Sequence, residues 1–139
     1  MVRMSVYIYV KEKEGFNGMS RQYEAAEQST LIDWSLKCRG KYPELDLLFH
    51  IPNGGSRNKI EAAKLKAQGV KAGVPDLFLP AARGGYHGLF IEMKYGKNKP
   101  TDKQREWMAA LNEQGYMAVV CYGFEDARNT IEKYLGIYT

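Results

Sequence analysis

Residues 73–94 read GVPDLFLPAARGGYHGLFIEMK, and the reading of this stretch decides the fold. Pro75 has no N–H to give a sheet ladder, so it marks the mouth of a strand rather than its middle. Asp76–Leu79 is then one short strand and Leu89–Lys94 a second, joined by the glycine-rich connection Ala81–Gly88. Strands joined this way pair as antiparallel neighbours. Side chains two apart on a strand leave the same face. Glu92 and Lys94 therefore point together, and Ile91 and Met93 point the other way. With a simple hairpin register, Asp76 reaches the side of Glu92.

Two carboxylates and an ammonium on one face suit phosphodiester hydrolysis. Carboxylate oxygens hold hard divalent ions such as Mg²⁺. Such an ion polarises the phosphate and lowers the pKa of a bound water. A lysine beside it can orient that water and offset charge in the transition state. The competing reading is an ion pair on the solvated face of an edge strand. An ExK pair by itself does not separate the two.

Outward from the hairpin, the elements alternate. Ser5–Val10 reads as a short strand or an ill-fitting N-terminal extension, and Lys11–Ser20, with Gly15 and Gly18, as a loop or linker. Arg21 to about Arg39 is helical and stops at Gly40. The apolar run Leu45–Ile51 reads as a buried strand, and Asn53-Gly54-Gly55 as a turn. Ser56–Gln68 reads as a helix with Ser56 as N-cap and Gly69 as C-cap. After Pro100 come a helix over Thr101–Gln114, a buried strand over Tyr116–Tyr122 and an amphipathic helix over Phe124–Leu135. Mixed elements in this order make an α/β fold, a central mixed β-sheet flanked by α-helices. We divide the chain into residues 1–20, an N-terminal extension or a short strand plus loop, and a 21–139 domain.

Composition narrows the classes. At 139 residues the chain suits one domain with a real core. Hydrophobic residues at 45% argue against disorder throughout. The net charge of +4 permits a polyanionic partner without demanding one. Cys38 and Cys121 have neither CxxC nor zinc-site spacing, and read as buried free thiols of a reducing compartment. No apolar run approaches the ~18 residues of a membrane span, and no signal-peptide pattern opens the chain. The expected location is cytoplasmic, within a bacterial host cell if the chain is phage-encoded. Motifs for serine hydrolases, Walker A loops, dinucleotide folds and zinc proteases are missing.

The segments around the trio carry a resemblance. G-V-P-D followed by E-M-K resembles the PD-(D/E)xK nuclease signature. The flanks His50-Ile51-Pro52-Asn53-Gly54-Gly55, Gly69 to Leu77, Gly88 to Lys94, Gln104-Arg105-Glu106-Trp107 and Gly115-Tyr116 are similar to the VRR-NUC domain in its small, stand-alone phage and bacterial form. The resemblance spans residues 21 to 136. It implies a restriction-endonuclease-like fold with Asp76 and Glu92 as metal ligands. It also implies Lys94 as the catalytic lysine and the Met93 backbone carbonyl as a further ligand. The implied activity is an Mg²⁺- or Mn²⁺-dependent endonuclease on DNA. The resemblance further implies structure-selective action on branched DNA such as Holliday junctions, by a homodimer whose paired sites would match a two-fold junction. The alternative is a catalytically silent DNA-binding or scaffold subunit of a phage replication or recombination complex.

Relatives of this type add a carboxylate from the first helix, and Glu24 and Glu27 are available. Glu27 lies near the centre of the apolar stripe Tyr23, Leu31, Trp34 and Cys38, where a carboxylate is costly without a partner. Glu27 is therefore the expected helix ligand, with a surface arginine as the competing partner. Gln104 is a candidate for the metal-water network, but Thr101-Asp102-Lys103-Gln104 is also a capping box. Both roles can coexist. Lys97, Lys99 and Lys103 read either as a solvated run or as grips for flanking phosphates. Of the cations in residues 53–71, Arg57 and Lys59 beside the glycine turn are the expected DNA contacts; Lys64, Lys66 and Lys71 are spread around the helix. His50 is a rim or core histidine, and Trp34 and Trp107 read as core.

Overall fold

The computed structural model describes residues 2–52 and 58–136, with side chains from residue 18 onward. The Asn53-Gly54-Gly55 turn, the Ser56 cap and the Arg57 contact expected from sequence lie outside the described residues. The first element is a long helix, α1 (Val2–Cys38). A 3-10 turn over Pro43–Leu47 follows, then strand β1 (Phe49–His50) and helix α2 (Lys59–Ala67). Strands β2 (Leu77–Leu79) and β3 (Leu89–Lys94) come next. Helix α3 (Asp102–Glu113), strand β4 (Met117–Tyr122) and helix α4 (Gly123–Gly136) close the chain.

The described strands form one mixed sheet in the order β1-β2-β3-β4, with β1–β2 and β2–β3 antiparallel and β3–β4 parallel. The parallel step is bridged by α3, as a crossover requires. All six residues of β3 are buried, as befits a central strand covered on both faces. Leu77, Leu79, Leu89, Ile91 and Met93 pack into the main core with Leu31 of α1 and Ala127, Ile131 and Leu135 of α4. Phe78, Phe90 and Ala118 occupy the opposite face and meet Met108 and Leu111 of α3. The layers are therefore α1 and α4, the sheet, and α3. This is the α/β architecture expected from sequence.

The hairpin connection ends in a tight turn. Gly84 and Gly85 take φ of +58° and +87° between the bridged pair Arg83 and Tyr86, the positive values a two-residue primed turn needs. The hydroxyl of Tyr134 donates to the Ala81 carbonyl at 2.6 Å and ties the connection to α4.

Three expectations fail. The strand over Ser5–Val10 and the loop over Lys11–Ser20 are both helical, continuous with α1. Among the described residues no strand pairs with the run Val6–Val10, and an unpaired strand leaves its backbone unsatisfied. A helix satisfies that backbone internally and tolerates Gly15 and Gly18 at roughly 1 kcal/mol each. The buried strand over Leu45–Ile51 shrinks to the two residues of β1, and both are exposed. Pro43 sits in the first turn of the 3-10 segment, where its fixed φ favours a helical start. Of that segment only Leu45 is buried, with Leu47 and Phe49 about half exposed at 49% and 48%. Helix α2 begins at Lys59 with Asn58 as its cap, the Asn58 side chain accepting from Ile60 N at 2.9 Å. Gly69, at φ +101°, follows its last turn. Cys121 is buried, while Cys38 is only partly so; both are free thiols. No helix among the described residues is long and apolar enough to cross a membrane.

Candidate active site

The β2–β3 ladder pairs Leu77 with Ile91. One step further along this register sets Asp76 opposite Glu92, and residues directly opposite share a face. That face also carries Phe78 and Phe90, the side covered by α3. The sequence expectation that Asp76 joins Glu92 and Lys94 on one side therefore holds. Apolar rings fill the middle of the face, and its end is charged.

Asp76 is fixed by its neighbours. Its Oδ2 accepts from the backbone N–H of Met93 at 2.7 Å. Its carbonyl accepts from Ile51 N at 2.8 Å and from Nδ1–H of His50 at 2.7 Å. His50 is thus an exposed rim residue that steadies the Asp76 backbone, rather than a core histidine.

Two steps along the same register, Pro75 faces Met93. The Met93 N–H points to the β2 side, where Asp76 Oδ2 receives it, and the carbonyl of a strand residue leaves on the same side as its N–H. Pro75 has no N–H to offer that carbonyl. The Met93 carbonyl thus lies on the Asp76 side with no ladder donor from Pro75.

Glu92 and Lys94 are both buried, at 2% and 8% exposure, which sets aside the solvated-face reading. Lys94 Nζ stands 3.5 Å from Glu92 Oε2. The other oxygen, Glu92 Oε1, is buried without a hydrogen-bond partner. An acceptor in that state costs roughly 1–3 kcal/mol unless something fills the place. Burial, and then the adjacent Asp76 carboxylate, push the Glu92 carboxyl up to about 8, against a smaller opposing pull from Lys94. Two carboxylates pressed together and an orphaned oxygen are what a hard cation would relieve. The donor set fits a divalent metal. Asp76, Glu92 and the Met93 carbonyl would hold it.

The remaining expected residues fall elsewhere. Glu27 does not turn to the acid pair. Its Oε2 accepts from Phe124 N at 3.1 Å, and its carboxyl carbon lies 3.9 Å from the position of a Cβ on Gly123. It sits against the first turn of α4, where a carboxylate is favoured by unpaired N–H groups and the helix dipole. Glu24 reaches the loop after β3, its Oε1 accepting from Asn98 Nδ2 at 3.1 Å. Tyr23 stacks on Tyr95 beside it, with ring centroids 4.5 Å apart. Among the described residues no set of three His, Cys, Asp or Glu side chains converges as a metal cluster; Asp76 and Glu92 form a pair.

Gln104 completes the capping box. Its Oε1 accepts from Thr101 N at 2.9 Å, and Gln104 N donates to Thr101 Oγ1 at 3.2 Å. Lys97 and Lys99 lie exposed on the loop after β3, Lys103 on the first turn of α3 and Lys59 at the start of α2. Trp34 packs on the main core as expected. Trp107 instead lines a cleft between α2 and α3 together with Lys66, Lys71 and Lys103. No single helix face carries these cations, because Lys71 lies beyond α2 and Lys103 comes from α3.

Comparison with known proteins gives the same picture. A family described as the VRR-NUC domain matches residues 18–125. A solved structure described as a VRR_NUC domain protein is 38% identical, with a TM-score of 0.69, over 82% of this chain and 88% of that one. No curated protein matches the chain. The matched residues contain α1 from its second half, the β2–β3 hairpin with its acids and lysine, and α3. With the buried acid pair and a restriction-endonuclease-like fold in place, the chain belongs to the VRR-NUC family, a nuclease-type domain.

Proposed function

We propose that the protein is a metal-dependent endonuclease that hydrolyses DNA phosphodiester bonds at Asp76, Glu92 and Lys94. The observation that carries this reading is the unpartnered, buried Oε1 of Glu92 beside the Asp76 carboxylate. When bound, Mg²⁺ or Mn²⁺ supplies Lewis-acid polarisation of the phosphate and a more acidic water. Asp76, Glu92 and the Met93 carbonyl bind it, and the Asp76–Met93 hydrogen bond keeps Asp76 oriented before substrate arrives. Lys94 offsets negative charge at the scissile phosphate, and its burial strengthens that effect. Gln104 presents its amide from the capped turn of α3 towards the attacking water. Lys59, Lys97, Lys99 and Lys103 grip flanking phosphates, which gives sequence-blind, salt-dependent affinity.

The substrate in this reading is branched DNA, such as a four-way junction, cut by a homodimer with paired sites. The test incubates the protein with a junction, a flap, a plain duplex and a single strand, with Mg²⁺, Mn²⁺ or EDTA. Metal-dependent cutting that prefers the junction and disappears in Asp76→Asn is the expected result. Asp76→Asn retains an oxygen for the Met93 N–H, so loss of cutting in a folded variant reports the missing charge. Cutting in EDTA, or undiminished cutting by Asp76→Asn, would sink the reading. Equal rates on junction and duplex would remove the branched-substrate claim.

A further inference from the structure

Helix α2 stands out because none of its nine residues is buried. Ile60 is 73% exposed. Isolated helices below ~12–15 residues are marginal in water, and packing normally supplies the rest. Beneath α2, between it and α3, lies a cleft of about 560 Å³. This is within the range of roughly 300–1,000 Å³ common for small-molecule sites. Leu65, Val70 and Trp107 give it apolar walls, and Lys66, Lys71 and Lys103 give it cations, against the single acid Glu106.

The cleft wall leads along the chain to the candidate active site, Val70, Lys71 and Ala72 standing a few residues before Asp76. Gly73, at φ +90°, packs so tightly on the first turn of α3 that an added Cβ would lie 2.9 Å from Lys103 Cβ. The segment Val70–Gly73 therefore runs from the cleft wall into Pro75 and Asp76. An occupant must match a flat indole face, apolar walls and ammonium groups. A second copy of this chain, itself at +4, is a poor electrostatic match for a cationic rim. A nucleotide supplies both a π-face and phosphate.

Building on the DNA reading above, we propose that the α2–α3 cleft takes an unpaired nucleotide of the substrate, its base stacked on Trp107 and its neighbouring phosphates on Lys66, Lys71 and Lys103. The cleft thereby selects DNA with unpaired bases near the cut, and the occupant completes the packing of α2.

The test measures binding in EDTA, where no cutting occurs, with Trp34→Phe as background so that Trp107 is the only tryptophan. The probes are a short duplex and the same duplex carrying a small bulge. The bulged DNA is expected to bind at least about fivefold tighter and to quench Trp107 emission, in line with stacking of one base. Trp107→Leu should erase that preference while leaving duplex affinity within about twofold. The double variant Lys66→Gln/Lys71→Gln, at exposed positions that the fold does not need, should weaken bulge binding and flatten its salt dependence. If Trp107→Leu fails to fold by thermal melting, the lysine pair decides. Equal affinity for the two DNAs overturns the proposal. So does a bulge preference that survives in folded Trp107→Leu or in the lysine pair. Trp107 quenching that rises with protein concentration and no DNA also overturns it, because the occupant is then a second copy. Protein that cuts DNA with Mg²⁺ yet shows no bulge preference defeats the cleft alone. Protein that neither binds nor cuts any DNA defeats the nuclease reading as well.

Discussion

Asp76 Oδ2 accepts a hydrogen bond from the backbone N–H of Met93 at 2.7 Å, across the mouth of the β2–β3 hairpin. One carboxylate oxygen is thereby committed to the neighbouring strand, at the very residue whose carbonyl Pro75 leaves without a ladder donor. The acid is held by backbone on both sides, so its position is set by the sheet and not by the ligand.

Stability without metal should fall as pH rises. Glu92 titrates near 4.5 in the unfolded chain and at about 8 in the fold. Between those values the native state keeps a proton that the unfolded state has lost, so unfolding becomes easier with each step of pH through that window. The effect is on the order of a few kcal/mol by pH 8. Thermal melts in EDTA across the range should show it, and Glu92→Gln should flatten the curve. Added Mn²⁺ should displace the proton and stabilise most at the alkaline end. A flat wild-type profile in EDTA would contradict this account of Glu92.

Lys94 has two separable effects. Its ammonium lowers the Glu92 carboxyl from 3.5 Å away, so Lys94→Met should move the onset of metal binding to higher pH. Loss of a charge-stabilising group at the scissile phosphate should also slow cutting by about 10²–10³. Lys94→Arg should restore much of the pH behaviour and little of the rate. Metal titrations at several pH values, beside single-turnover cleavage, separate the two.

Glu27 should matter to α4 and not to the cation. Glu27→Ala removes the acceptor for Phe124 N and should cost about 1 kcal/mol, as loss of a helix cap does. Calorimetric Mn²⁺ affinity should stay within about twofold of wild type, since ligand loss costs far more. A tenfold drop in affinity would instead restore Glu27 as a ligand.

Gly73 should resist substitution. Alanine there meets both a positive φ and the backbone of Lys103, 3.0 Å away at its carbonyl carbon. Gly73→Ala should cost about 1–3 kcal/mol. It should also lower cutting in folded protein, because α3 and the Asp76 strand are wedged apart. A melt unchanged from wild type would show that this contact yields freely.

The sequence carried the hairpin well because its signals are local. Pro75, the paired glycines and the two-residue spacing of Glu92 and Lys94 specify strand ends, turn and face together. The capping box at Thr101 and Gln104 is equally local. The misses are long-range. Glu27 lies on the apolar face of α1, but that face covers both the sheet and the first turn of α4, and only the fold says which partner it meets. Val6–Val10 has strand composition, but the outcome depends on a pairing partner, and no described strand supplies one. The cationic cleft draws Lys66, Lys71 and Lys103 from separate segments, so no periodicity displays it.

The facing of Asp76 and Glu92 has a further consequence. Their meeting depends on the alternation of pleats across one ladder, and a slip of a single residue between β2 and β3 would turn Asp76 towards the aliphatic core. Competence is therefore all-or-none at this hairpin. Mild denaturant that lets the two strands shear should silence the protein while circular dichroism still reports its helices intact.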